Sequence, residues 1–599
     1  MNQETKKSLL SKAIKHVAHV RTRVHDAVQR LTALINAKVS AGKIEDGWTN
    51  AQVKAINKET LRRTIEVGVS PYFCKCVVKF DDISEQKELY FGKFSFAEES
   101  IYSWITPAGS IRFDSPGNVT YTLPNGKLRT GTMLSKDQYL IDESGIKFYS
   151  TESLNEPREL IHQEHFSQHK KGFVLPEIVS QMERAQDTVI RAHYKGPFVI
   201  SGPAGSGKTT LALHRIAYLM QSPQTTELFP SEAMLILVQD ESAKAYFSTL
   251  LPSLGITSVS ITTFTEWAAK IVGVEGYTYQ SQYVESDEYE YHKIKALRSH
   301  NMLPKYSKTT FKYLESIYGM YLSEQDKAHF EQQKKEKALD RIDLTVLLTS
   351  FLQTYNKLSV SRTYQRIDSG GDFRTRTTEI KLEYALIAID EFQNYLPEQI
   401  TLFKRCIDQN TQSLMYIGDM KQRVRMGTIK HWDEVAEFIH DKREVLLDKV
   451  YRNTRQIVEY IQQQGFDVEV PTGIKSGKPV TELKGTTSAI TKYINECIDG
   501  LDDQKTIGVI VNSVDEVKYI SDEIKPHAGL HIVTSRQSQG LEFDVVCLVQ
   551  NAVKELLVNT NALDADYVDE KNKIDRDLYY VSLTRAMEEL HVLTIEASQ

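Results

Sequence analysis

Gly202-Pro203-Ala204-Gly205-Ser206-Gly207-Lys208-Thr209 fills every fixed position of the pattern G-x-x-x-x-G-K-[ST]. Phe198-Val199-Ile200 ahead of it predicts a buried strand. Thr210 to Met220 behind it predicts a helix, with Leu211, Ala212, Ile216, Ala217 and Leu219 apolar. A strand feeding a glycine-rich turn and then a helix aims backbone N–H groups at phosphate oxygens. Gly202, Gly205, Ser206, Gly207, Lys208, Thr209 and Thr210 are therefore candidates to cradle a nucleoside triphosphate, ATP. Lys208 would meet the β- and γ-phosphates, and Thr209 would ligate Mg²⁺.

Working outward, strand–helix alternation begins near residue 175 and runs, with one interruption, to the end of the chain. Ala385-Leu386-Ile387-Ala388-Ile389 is an apolar strand that ends in Asp390-Glu391. Asp390 is placed to hold Mg²⁺, and Glu391 to orient the attacking water. Ile417-Gly418-Asp419-Met420-Lys421-Gln422 ends a further strand, with Gln422 a candidate to couple the γ-phosphate to the rest of the protein. A second strand–helix set is expected from Glu444, starting with Val445 to Leu447. Arg452 and Arg585 each stand where a planar cation could stabilise charge on a transferring phosphoryl group.

The predicted fold class is α/β: two phosphate-loop-type (RecA-like) lobes with an N-terminal helical hairpin, a small β-rich module and a mostly helical insertion. Residues 1–69 read as the hairpin. Leu10, Ile14, Val17, Val24, Val28, Leu31 and Ile35 form its stripe, interrupted by Arg21, with Val53, Ile56, Leu61 and Ile65 on the return. Either a packed pair or a probe into a partner fits the pattern, with Glu45 and Asp46 at the tip. Residues 70–174 read as the β-rich module, punctuated by turns at Pro116-Gly117-Asn118 and Pro124-Asn125-Gly126. Lobe one takes 175–269 and 381–440, the insertion 270–380, and lobe two 441–599. The insertion is rich in tyrosine (Tyr277, Tyr279, Tyr283, Tyr289, Tyr291, Tyr306, Tyr313, Tyr318, Tyr321), which either stacks bases or packs its own subdomain. Gly370-Gly371 marks a turn near its end.

Composition is that of a soluble globular protein, at 41% apolar and 25% charged residues. No apolar run suits a membrane span or a signal peptide. Five scattered cysteines suggest reduced thiols and a cytoplasmic protein. With a net charge of −6, any contact with nucleic acid has to be local.

The ordered set of phosphate loop, Asp390-Glu391-Phe392-Gln393, Gly418-Asp419 with Gln422, Tyr451-Arg452-Asn453, Gly540-Leu541-Glu542-Phe543-Asp544 and Tyr580 to Ala586 resembles the superfamily 1 helicases of the UvrD type. The resemblance implies that Arg452 and Arg585 are arginine fingers from the second lobe. It implies that Glu542 binds the ribose and that Gln186 reads adenine. Thr263-Phe264 and Thr534 then stand where such motors touch single-stranded nucleic acid.

Within that class, Ala212-Leu213-His214-Arg215-Ile216-Ala217-Tyr218-Leu219 is similar to the HelD ATPases, which release and recycle bacterial RNA polymerase. Ile101-Tyr102-Ser103-Trp104-Ile105-Thr106-Pro107 resembles their IYDWR-P stretch. The hairpin and the insertion would then correspond to the HelD coiled coil and arm. The partners implied are RNA polymerase core, single-stranded DNA, or both, for a monomeric chain away from membranes. A DNA helicase or translocase in repair or phage defence, and a nucleotide-gated interaction module, are the alternatives. The chain departs from the pattern at Phe392 and Asn394, where DEAQD is usual. It departs again at Gln539, where a lysine is usual, and at Arg425, where a base-stacking aromatic is usual. Ser103 and Ile105 break IYDWR.

Overall fold

The computed structural model describes residues 3–36, 47–123, 125–154, 184–203, 206–256, 258–274, 276–307, 310–367, 373–447, 453–470, 474–502, 505–551 and 564–596. Glu45, Asp46, Pro124, the start of the alternation near 175, Gly205, Gly370, Gly371 and Arg452 lie outside them. So do the side chains of Val53, Ile56 and Gln186. The chain divides into two compact units.

The first unit comprises Met1–His193, Leu213–Glu227 and Thr249–Thr257. Its long helix Gln3–Asn36 runs beside Gly47–Val69. The buried stripe of the first helix is Ala13, Val17, Val20, Val24 and Ala27, and Ile14 is exposed, so the expected stripe is rotated by about a residue. Arg21, which interrupts it, donates to the carbonyls of Gly68 and Val69 at 3.1 Å each. It thereby satisfies open carbonyls at the end of the returning helix.

Beside the hairpin lies a six-stranded sheet. Its order is Ile101–Ser103, Gln86–Gly92, Cys74–Phe80, Leu128–Asp142, Gly117–Thr122, with Gly145–Ser153 also on Leu128–Asp142. Tyr72, Tyr90, Tyr139, Phe94 and Phe96 pack with Val17, Val20 and Val24 into one core. The two stretches that carry the finer resemblance meet here, with Trp104 edge-on to His214 at 5.5 Å. Arg215 is buried and donates to the carbonyls of Val189, Ile190 and Ala192 at 2.8–3.0 Å. It caps the end of helix Arg184–Arg191, which carries Gln186.

The second unit comprises Tyr194–Ala212, Leu228–Ser248 and Ser258–Gln599. Its first sheet is wholly parallel, in the order Glu444–Leu446, Gly196–Ser201, Ser413–Gly418, Leu386–Asp390, Met234–Val238, Ser260–Thr263. The inner strands Ser413–Gly418, Leu386–Asp390 and Met234–Val238 are buried along their whole length, as apolar strands of a parallel sheet are. Glu444–Leu446 was expected to open the second set, yet it pairs with Gly196–Ser201. It is a short edge strand, and local pattern carries no signal of which sheet such a strand joins.

The second sheet is also parallel, in the order Thr481–Gly485, Ala586–Ile595, Phe543–Asn551, Ile507–Val511, Leu530–Thr534. Alternate residues feed two cores. Val509 and Cys547 lie with Ile490 and Ile494, whereas Ile510 and Val546 lie with Ile457 and Tyr580.

The insertion holds helices Asp287–Ser299, Thr310–Tyr318, Glu324–Glu336 and Arg341–Tyr355, the first, third and fourth capped by Ser286, Ser323 and Asp340. Its centre is Lys293, fully buried between Asp340 at 2.6 Å and Asp343 at 2.7 Å. Burial opposes the ammonium, but the two carboxylates outweigh it and raise the Lys293 pKa. Tyr289, Tyr313 and Tyr318 are buried in the same core, and Tyr277, Tyr279, Tyr283, Tyr306 and Tyr321 pack against it. Those tyrosines are packing residues. The end of the insertion is not helical, since Ser359–Ile367 and Phe373–Lys381 form a two-stranded antiparallel ribbon.

Candidate nucleotide site

Gly196–Ser201 delivers the phosphate loop at the carboxyl edge of the first sheet, beside Ser413–Gly418. Gly202 has φ +148°, and a Cβ there would lie 2.2 Å from the Leu447 carbonyl oxygen, so only glycine lets the two backbones approach. Gly207, at φ +87°, turns the chain into helix Lys208–Gln221. Lys208 is buried and donates to its own loop, to the Pro203 carbonyl at 3.0 Å. Ser206 Oγ is buried with no hydrogen-bond partner among the described residues. Thr209 and Thr210 lie partly buried in the first helical turn.

Asp390 ends the strand next but one to the loop strand. Its carboxyl group is buried, Oδ1 has no hydrogen-bond partner among the described residues, and the Thr209 side chain favours its charged form. Burial and the adjacent Glu391 push the Asp390 pKa well above the carboxylate range, while Lys208 and Thr209 pull against them. A buried carboxylate oxygen with an open valence beside a threonine hydroxyl fits a Mg²⁺ completed by phosphate oxygens and water. Among the described residues no cluster of three His, Cys, Asp or Glu could hold a metal unaided.

Glu391 adopts the left-handed conformation, φ +47°, uncommon for a side-chain-bearing residue. Gln393, fully buried, donates from Nε2 to Glu391 Oε2 at 2.5 Å and accepts the Asp419 N–H on Oε1 at 3.1 Å. Asp419 Oδ2 in turn accepts from Gln422 Nε2 at 2.7 Å. Gln422 thus ends a chain of hydrogen bonds that begins at Glu391. Sequence reading noted Gln393 only as part of a motif and missed its bridging role.

The chain continues into the next elements. The Arg423 N–H donates to Asp577 at 3.1 Å. Desolvation lifts the Asp577 carboxyl to about 6, although that hydrogen bond and nearby cations oppose it. Asn394 Nδ2 donates to Gln539 Oε1 at 3.0 Å, and Asn394 Oδ1 accepts the Val424 N–H at 3.2 Å. Two of the departures from the helicase pattern, Asn394 and Gln539, are therefore partners of one another.

Of the two arginines, Arg452 lies outside the described residues. The last described residue before it, Leu447, donates its N–H to Ser201 O at 2.8 Å, at the end of the strand that precedes the phosphate loop. Asn453, buried, donates to the carbonyls of Thr584 at 3.1 Å and Ala586 at 2.6 Å, on either side of Arg585. Arg585 is buried and donates to Val581 O at 3.0 Å and Leu541 O at 3.1 Å. Glu542, next to Leu541, is partly buried.

The residues expected at single-stranded nucleic acid are not exposed. Thr263 caps helix Phe264–Val272, Phe264 is core, and Thr534 is fully buried. Arg425 lines a small cavity of about 20 Å³ with Thr263, Thr265, Arg341 and Tyr395. Burial lowers the Arg425 pKa to about 10.

Residues 182–426 match the UvrD/REP helicase N-terminal domain family, and residues 348–594 match the viral superfamily 1 RNA helicase core domain. Between them the matches span both parallel sheets. They describe a superfamily 1 helicase-type core, a class whose domains imply nucleotide binding and hydrolysis. The C-terminal domain of a possible DNA helicase from Lactobacillus plantarum WCFS1 is a similar solved structure, at 20% identity over 24% of this chain and 88% of that chain, with a TM-score of 0.17. No curated relative matches the chain. No described helix is long and apolar enough to cross a membrane.

Proposed function

We propose that the protein is an ATP-hydrolysing motor of the UvrD-like superfamily 1 type that remodels a nucleic-acid assembly. The observation that carries this reading is the buried Asp390 with an open oxygen, its charged form favoured by Lys208 and Thr209 of the phosphate loop, followed by Glu391 held by Gln393. In this reading Gly202, Gly205, Ser206, Gly207 and Thr210 present the loop backbone to the phosphates. Lys208 exchanges the Pro203 carbonyl for phosphate oxygens. Thr209 and Asp390 hold Mg²⁺, which when bound neutralises phosphate charge. Glu391 orients the attacking water and takes its proton.

Gln393, Asp419 and Gln422 carry the state of the γ-phosphate away from the site. Arg585 exchanges the carbonyls of Val581 and Leu541 for the transferring phosphoryl group, and Arg452 is the second arginine that the helicase resemblance implies. The lobe boundary sits best after residue 447, since the strand Glu444–Leu446 belongs to the first sheet.

The assembly we propose is RNA polymerase. Its support is the resemblance of the stretches around Trp104 and Arg215 to the HelD ATPases, together with the N-terminal hairpin. The test is what stimulates ATP turnover and what co-purifies. Association with core polymerase, lost on deleting residues 1–66, supports the reading. Strong stimulation by single-stranded DNA, with no association with core polymerase, makes the protein a DNA translocase instead.

A further inference from the structure

The ribbon formed by Ser359–Ile367 and Phe373–Lys381 stands apart from both parallel sheets and pairs only within itself. It is rooted by Val360, which packs against the core of the first lobe, and by the Leu382 N–H bonded to Leu358 O at 3.0 Å. Its nine register pairs make it about 30 Å long.

Register divides its residues between two unlike faces, because directly opposed residues share a face. Arg362 opposes Thr378, and Tyr364 opposes Arg376. The same face runs on through the register position at which Arg366 opposes Arg374. The other face carries Thr363 opposite Thr377, their hydroxyls 3.2 Å apart, and Gln365 opposite Thr375. The ribbon's one described acid, Glu379, is on that second face, held by Lys357 at 3.6 Å. Arg362, Tyr364 and Arg376 are exposed, and none has an ion pair or hydrogen bond among the described residues. A two-stranded ribbon is marginally stable by itself. In a chain of net charge −6, a face with two exposed arginines and no counter-charge among the described residues suits an anion.

We propose that this arginine face docks on the phosphate backbone of double-stranded DNA. The proposal rests on the reading of the chain as a nucleic-acid motor and adds to it the surface that holds the duplex. A two-stranded ribbon fits the B-DNA major groove, which is about 12 Å wide. Four arginine positions against a single tyrosine favour the duplex, since single-strand platforms rely on successive aromatics.

The test is the full-length double variant Arg362→Ala/Arg376→Ala, titrated against a short DNA duplex and against one of its strands across a salt series. Losing two phosphate contacts lowers the salt slope of duplex binding by about 1.8 and the affinity by about 30-fold near 0.15 M salt. Single-strand binding and ATP turnover without DNA stay at parental levels. The opposite-face variant Thr363→Ala/Thr377→Ala binds duplex like the parent. An unchanged duplex affinity and slope, an equal loss on single strands, or an equal loss in the threonine variant overturns the proposal. Absent ATP turnover in the parent refutes the motor reading instead and leaves the duplex titration interpretable.

Discussion

Replacing Gln393 by alanine removes both ends of a buried bridge, from Glu391 Oε2 at 2.5 Å to the Asp419 N–H at 3.1 Å. The hydrogen bond to a carboxylate contributes about 2 kcal/mol, and the one to the backbone about 1 kcal/mol. Emptying a fully buried side-chain site adds about 1 kcal/mol more, so the fold should lose roughly 4 kcal/mol. The catalytic cost comes from the first of these. If Glu391 is oriented by Gln393 and the full 2 kcal/mol is realised at the transition state, kcat falls about 30-fold. Nucleotide affinity stays within a factor of about three, because Gln393 touches neither Lys208 nor Thr209. Gln393→Glu keeps the volume but sets a carboxylate against Glu391, and should lose turnover at least as severely in a folded protein. Steady-state phosphate release with fluorescent-nucleotide titration measures both quantities. Parental kcat in both variants would show that Glu391 is positioned without Gln393, and the chain of bonds to Gln422 would lose its functional meaning.

Asp390→Asn should stabilise the nucleotide-free protein by about 2 kcal/mol, because it removes a charge that burial and Glu391 oppose. The same change should abolish the Mg²⁺-dependent thermal shift on adding ATP, and thermal unfolding reads both effects. Asp577 sets a pH signature, with an unfolded value near 3.8 and a folded value about 6. Its stabilising contribution is complete below pH 4 and is lost as pH rises through 6. Unfolding free energy should therefore decline across pH 4–6 relative to Asp577→Asn, and parallel curves would exclude the assignment. Asn394→Asp should destabilise by about 3 kcal/mol through a buried unpaired charge, and Gln539→Lys by about 1 kcal/mol through a half-buried one. The double variant should recover most of that loss, with additivity of the two contradicting the contact.

The sequence made the phosphate loop and the two carboxylates legible because phosphate binding needs particular residues adjacent along the chain. The parallel strands were legible for a similar reason, since burial on both faces demands unbroken apolar runs such as Met234–Val238 and Leu386–Asp390. What escaped depends on partners distant in sequence. Asn394 and Gln539 each read as a loss when taken alone, and only their contact at 3.0 Å shows one neutral pair. The edge strand Glu444–Leu446 carries no local mark of its sheet. The ribbon at 359–381 was hidden because alternation of arginine with threonine has no apolar side to reveal it. Phe264 and Thr534 were assigned by motif position alone, and their burial follows from packing that no motif encodes.

ATP hydrolysis is assigned to the site that joins Lys208 to Asp390 and Glu391. Phosphate release with parallel nucleotide titration, in the parent, Lys208→Ala and Glu391→Gln, tests it most directly. The parent should turn over ATP, Lys208→Ala should lose binding or turnover, and Glu391→Gln should bind without turnover. Parental turnover in Glu391→Gln would contradict the assignment.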